Sequence, residues 1–168
     1  LSGAGNVPAY QHFEDGVLLL ENGRVANLDN AKTVLESLST DIQVVHHLDA
    51  LITPGFIDTH VHYPQMTAIA SYGTQLLDWL ETYTFPAELK FSDPHYAARA
   101  AEFFLDQLII NGTTTALVFG TVHKTSVDAF FEAAIQRRLR MICGKVMMDR
   151  NAPTELLDTP ETSYQDSK

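Results

Sequence analysis

From Leu51 onward, apolar runs of strand length alternate with stretches of helical periodicity, and no other feature limits the fold as strongly. The strand-like runs fall at about 52–58, 113–119 and 140–147. Between the first two, Pro94 opens a helix with Asp93 or Ser92 before it as a cap. Ala97, Ala98, Ala101, Phe104, Leu105, Leu108 and Ile109 recur at helical spacing, and Asn111-Gly112 closes the segment. A second helix is predicted over 125–138, and a short one from Leu76 to Tyr83. Strands alternating with helices imply a parallel sheet in an α/β fold. Only three such repeats fit before Lys168, whereas a complete eight-stranded barrel takes about 250 residues.

Residues 1–50 read differently and are expected to form a separate unit from 51–168. Residues 1–12 are small and polar and read as loop. Val17–Glu21, Asn22-Gly23 and Arg24–Asn27 read as a β-hairpin, because Asn-Gly is the strongest two-residue type I′ turn signal. Ala31–Leu38 is predicted as a short helix and Ile42–Leu48 as a further strand.

The apolar run from Leu51 ends in His60-Val61-His62. In an extended backbone alternate side chains point the same way, so both imidazoles can reach one ion from a strand end. Asp58, two residues earlier, is expected on the same face, either supporting a histidine or packing in the strand. Neutral nitrogen ligands with an open position let a metal turn water into a nucleophile near neutral pH. Spacing and strand pattern alone thus favour a metal-dependent hydrolase on a βα scaffold.

Composition narrows the alternatives. The chain has 168 residues, 45% of them hydrophobic, which is enough for a sizeable core. A formal charge of -10 argues against a phosphate-binding surface, so no nucleic-acid partner is expected. No apolar run approaches the roughly 20 residues that span a bilayer, and no signal peptide is visible, so no membrane partner is expected and a cytoplasmic location is. Cys143 is the single cysteine, which excludes an internal disulfide framework. It lies in the apolar run from Leu139 to Gly144 and reads as a buried, inert thiol. One cysteine also excludes the zinc-deaminase pattern that pairs His-x-Glu with Pro-Cys-x-x-Cys.

Pro54-Gly55-Phe56-Ile57-Asp58-Thr59-His60-Val61-His62 resembles the first-strand signature of the amidohydrolase superfamily. Two further segments are more specific: Asp78-Trp79-Leu80 running on to Thr84-Phe85-Pro86-Ala87-Glu88, and Lys145-Val146-Met147-Met148-Asp149-Arg150-Asn151-Ala152-Pro153. With Tyr63-Pro64-Gln65 and the stretch from Asn111 to His123, they are similar in content and order to the guanine deaminase family, its bacterial members in particular, from about Phe13 to Lys168.

The resemblance implies the first βα units of an amidohydrolase-type (β/α)8 barrel, incomplete in this chain, preceded by part of a small β-sandwich. It implies hydrolytic removal of the guanine 2-amino group, giving xanthine and ammonia. His60 and His62 carry over as metal ligands, for zinc first and ferrous iron as the alternative. Gln65 carries over as a substrate contact, its amide offering a purine edge both a donor and an acceptor. Trp79, with Tyr83 and Phe85, reads either as a wall of the base pocket or as core packing. The remaining histidine and aspartate ligands and a proton-shuttling glutamate are expected beyond residue 168. The 168 residues alone are therefore expected to be inactive, and the intact protein to be a homodimer.

Thr121, His123, Met148, Asp149 and Arg150 follow strands two and three and are expected at the same mouth as the histidine pair. His123 reads as a loop or supporting residue rather than a ligand, and Glu88, without a partner in sequence, as a surface carboxylate. His12, His46, His47 and His95 read as structural or exposed. Two other functions fit the strand pattern. One is an amidohydrolase acting on a different aminated heterocycle, which would not need the Trp79–Glu88 segment. The other is a dead barrel serving as a binding subunit, marked by substituted ligands; here both visible ligands are intact.

Overall fold

The computed structural model describes residues 10–73 and 75–168. The loop expected over 1–12 therefore lies largely outside the described residues. The chain divides into two compact units, Leu1–Leu51 and Ile52–Lys168.

In the first unit, β1 (Gly16–Glu21) pairs antiparallel with β2 (Arg24–Asn30). The turn is the expected one. Asn22 and Gly23 both have positive φ, 52° and 73°, as a type I′ turn requires at its two central positions. α1 (Ala31–Leu35) follows at once, tied back by the Ala31 N–H to the Asp15 carbonyl at 2.8 Å, with Val34 buried beneath it. The expected helix is therefore shorter than Ala31–Leu38. The expected strand over Ile42–Leu48 does not form. Ile42, Val44, Val45 and Leu48 are all exposed, and an extended segment without a hydrogen-bonding neighbour has no ladder to join. Among the described residues this unit holds one two-stranded sheet.

The second unit is built on β3 (Phe56–His62). A 3-10 stretch, Tyr63–Ala68, follows it. Then come α2 (Leu76–Trp79), a π-helical turn over Leu80–Thr84, α3 (Phe85–Leu89) and a 3-10 turn, Lys90–Ser92. The helix expected at Leu76–Tyr83 is thus the start of a longer helical run. α4 (Pro94–Ile110), β4 (Thr113–Phe119), α5 (Lys124–Gln136), β5 (Arg140–Gly144) and α6 (Pro160–Asp166) complete the chain. The three strands form a parallel sheet in the order β3-β4-β5, with α4 and α5 as crossovers. This is the expected βα series, and it is part of a domain rather than a closed barrel.

Local chemistry sets the ends of these elements. The Asp93 carboxylate accepts the His95 N–H at 2.9 Å, and Pro94 occupies the first turn of α4, where no donor is needed. Gly112, at φ 81°, reverses the chain after α4 without a Cβ penalty. α5 stops at Gln136 because Arg138 takes a left-handed turn, φ 54°. β5 ends at Gly144, three residues short of the expected limit.

The core lies between the sheet and the two long helices. Ala97 and Ala101 of α4 and Ala133 and Ala134 of α5 are buried, and their small size lets the helices approach the sheet closely. The aromatics fill what remains. Tyr63 sits edge-on to Phe91 at 5.2 Å and packs with Phe104 and Phe130. Its hydroxyl donates to the Ser126 carbonyl, which satisfies the polar tip of a fully buried ring. Tyr63 follows His62 directly, so this anchor fixes the strand end that carries both histidines.

Candidate active site

His60 and His62 stand at the carboxyl end of β3, the edge at which βα barrels hold their sites. Their ring centroids are 5.3 Å apart. Phe119, the register partner of His62 on β4, stacks on the His62 ring at 4.6 Å and 14° and lies 4.8 Å from His60. Burial, with the His60 charge beside it, holds His62 below the usual imidazole range. A neutral imidazole is the form that ligates metal.

The strand is not regular up to this point. Its register with β4 shifts between Asp58 and Val61, so β3 carries an extra residue there. Strict alternation is interrupted, and spacing alone no longer places Asp58 on the face of the histidines. Its carboxylate accepts the His60 backbone N–H at 3.0 Å instead, which braces the bulge.

A cavity of about 400 Å³ opens beside the pair, lined by His60, His62, Gln65, Met66, Ile69 and Trp79 among others. The four residues singled out from sequence therefore share one cavity. Of the grouped aromatics Trp79, Tyr83 and Phe85, only Trp79 lines it; Tyr83 packs on Trp79 at 6.5 Å. The Gln65 amide nitrogen lies 3.4 Å from His62 Nδ1 and donates to Glu88 Oε1 at 3.3 Å.

Glu88 corrects the sequence reading. It is 4% exposed rather than a surface carboxylate, and burial pushes its carboxyl up while the Gln65 hydrogen bond pulls it down. The resemblance segment Thr84–Glu88 includes it, but its burial does not show in sequence, because that depends on the helical run that follows the π turn. Buried carboxyls with a specific polar partner beside a cavity are candidates for a functional role.

The residues after β4 and β5 do not join this cavity. Thr121 is buried, and its N–H donates to Ser126 Oγ at 2.9 Å. His123 Nε2 is buried with no hydrogen-bond partner among the described residues. Met148 and Asp149 line a separate cavity of about 580 Å³ with Asp158 and Tyr164, while Arg150 is exposed beside Asp149. Cys143 is inert as expected, burial pushing its thiol up to about 12. His12, His46, His47 and His95 are exposed.

As a metal centre the pair is half a set. Among the described residues no group of three or more His, Cys, Asp or Glu side chains is placed to hold an ion. Two imidazoles supply two of the four positions of a tetrahedral site, and their donor type suits zinc or iron.

A parallel βα sheet with a histidine pair at its carboxyl edge is the architecture of a barrel-type metal hydrolase. Comparison with known proteins agrees: the amidohydrolase family model matches residues 51–168, and the chain belongs to that family. It is 52% identical to guanine deaminase of Escherichia coli (strain K12) over 160 residues, 95% of this chain and 36% of that protein. The solved structure of E. coli guanine deaminase superposes with a TM-score of 0.86, covering 90% of this chain and 35% of that one. The structure of guanine deaminase from Bradyrhizobium japonicum gives 0.85 at 37% identity, covering 92% and 33%. The chain thus spans about a third of the length of the relatives it matches.

Proposed function

We propose that the intact protein to which these residues belong deaminates guanine by hydrolysis, releasing xanthine and ammonia. The observation that carries the reading is the strand-end histidine pair opening on a cavity shared with Gln65 and Trp79. The likeness to guanine deaminases supports the choice of substrate.

His60 and His62 would hold the metal, zinc in the first instance and ferrous iron as the alternative. When bound, such an ion brings the pKa of water toward neutrality and so supplies the nucleophile. This chain's own residues bind and orient. Trp79 offers an aromatic face against which a purine ring stacks, and the Gln65 amide meets a polar edge of the base. Phe119 limits the swing of both imidazoles. The cavity of about 400 Å³ gives these groups a shared wall against which a planar base could lie.

The reading extends to the intact protein as a cytoplasmic homodimer without nucleic-acid or membrane partners. No helix among the described residues is long and apolar enough to cross a membrane. The unit Leu1–Leu51 is assigned as part of a small β-sandwich that accompanies the barrel.

The test uses the full-length protein: guanine to xanthine conversion, followed by absorbance and ammonia release, with and without added zinc or iron. A His62→Ala variant runs in parallel. Metal-dependent turnover that is lost in the variant is expected. A metal-loaded protein that leaves guanine untouched would overturn the assignment and point to another aminated heterocycle.

A further inference from the structure

We propose that Glu88 is a positioning residue that sets which end of the Gln65 amide faces the ligand; this rests on the reading of the cavity as a purine site. An amide side chain is ambiguous. Its two ends are nearly the same shape, one a double donor and the other an acceptor, and an unrestrained glutamine offers a ligand either. A carboxyl oxygen that accepts from the amide nitrogen removes the ambiguity, because it fixes the donor end of the amide toward itself.

The geometry meets that requirement. Glu88 Oε1 takes the Gln65 Nε2–H at 3.3 Å, and Gln65 lines the cavity while Glu88 does not. The Gln65 carbonyl oxygen has no hydrogen-bond partner among the described residues, so it is the end left to a ligand. Gln65 thereby becomes an acceptor, matched to a ring edge that carries N–H donors. Guanine has such an edge, with its ring N–H and exocyclic amino group.

Glu88 is held where this contact needs it. It lies on α3, directly after the π-helical turn Leu80–Thr84, and is 4% exposed. A π turn inserts one residue into a helix and rotates everything beyond it, and such insertions recur at functional sites. A buried carboxyl without a purpose would be costly to retain, since its charged form loses hydration.

The proposal separates from a merely structural role in the full-length protein carrying Glu88→Gln, Glu88→Met, Gln65→Ala and the double variants. Glu88→Gln keeps the shape but allows either amide orientation, and Glu88→Met removes the acceptor. Loss of an orientation used equally by substrate and transition state is expected to raise KM for guanine about tenfold with kcat within about threefold, more for Met than for Gln. In the Gln65→Ala background both substitutions should then leave KM unchanged, and melting temperatures should show the same coupling. Additive effects on KM and on melting, or an unchanged KM in Glu88→Met, would overturn the proposal. A coupled melt in a protein that does not turn over guanine would uphold the amide orientation and remove only the guanine reading.

Discussion

β3 and β4 lie side by side and each delivers histidine at its carboxyl end, yet the two ends are finished in opposite ways. After β3 the chain makes a long excursion, Tyr63–Ser92, before α4 begins. After β4 it passes only through Gly120–His123 into α5. The long excursion borders an open cavity that His60, His62 and Gln65 line. The short one closes on itself. Thr121 and Val122 are buried, the His123 N–H donates to Thr121 Oγ1 at 3.1 Å, and a Cβ on Gly120 would meet Ser126 Oγ at 2.9 Å. Neighbouring strand ends thus offer the same histidine chemistry, and the length of the following segment decides whether it remains available.

The sharpest way to break that contrast is to remove one histidine from each end. In the intact, metal-loaded protein His62→Ala should lower guanine turnover by more than about a hundredfold, above the cost of altering a group that only supports a ligand. His123→Leu should keep turnover within a few-fold. Equal losses in both variants would erase the distinction.

Next in size is the anchor beneath the cavity. Tyr63→Phe removes the donor to the buried Ser126 carbonyl and should cost about 1–3 kcal/mol in urea unfolding, the usual penalty for a stranded buried acceptor. A smaller change would mean that water or a shifted helix replaces the bond.

A pH measurement sharpens the other end. Burial is the main cause that holds His123 below the usual imidazole range, with Asp158 opposing it and Lys145 adding to it. Its folded pKa is therefore below its unfolded value near 6.5, so below that pH the unfolded chain binds the extra proton. Stability should fall as the pH drops from about 6.5 toward the lower folded pKa, and be unaffected above that window. Denaturant midpoints from pH 8 to 5 should show this slope, and His123→Leu should reduce it, leaving the share that His62 contributes in the same window.

The smallest effect lies on the exposed face of α5. Lys124 and Asp128 form an i,i+4 ion pair in the open, and Lys124→Ala should change stability by no more than about 0.5 kcal/mol. A larger loss would show that the entry to α5 contributes more to the β4 end than its buried residues indicate.

The parts that were legible in sequence depend on neighbours along the chain. The Asn22-Gly23 turn, the Asp93 cap of α4 and the βα alternation all follow from local chemistry, and the structure shows each of them. The segment Ile42–Leu48 failed because a strand is defined by its partner, which no local apolar pattern supplies. The burial of Glu88 is hidden from the sequence for a related reason. Its surroundings are set by the π turn at Leu80–Thr84 and by Gln65, 23 positions earlier in the chain. The strand-end pair was visible through its spacing, whereas the bulge that separates Asp58 from it required the register of β4.

Phe119 restrains two side chains at once. A side chain that must be frozen on binding gives up about 0.5–1.5 kcal/mol of rotational freedom, and two histidines would give it up twice. The ring stacked against His62 and tilted against His60 imposes that restriction while the protein folds, long before any ion arrives. Folding, rather than binding, bears the ordering cost, and an ion taken up by the two histidines as proposed would be bound with correspondingly less discount.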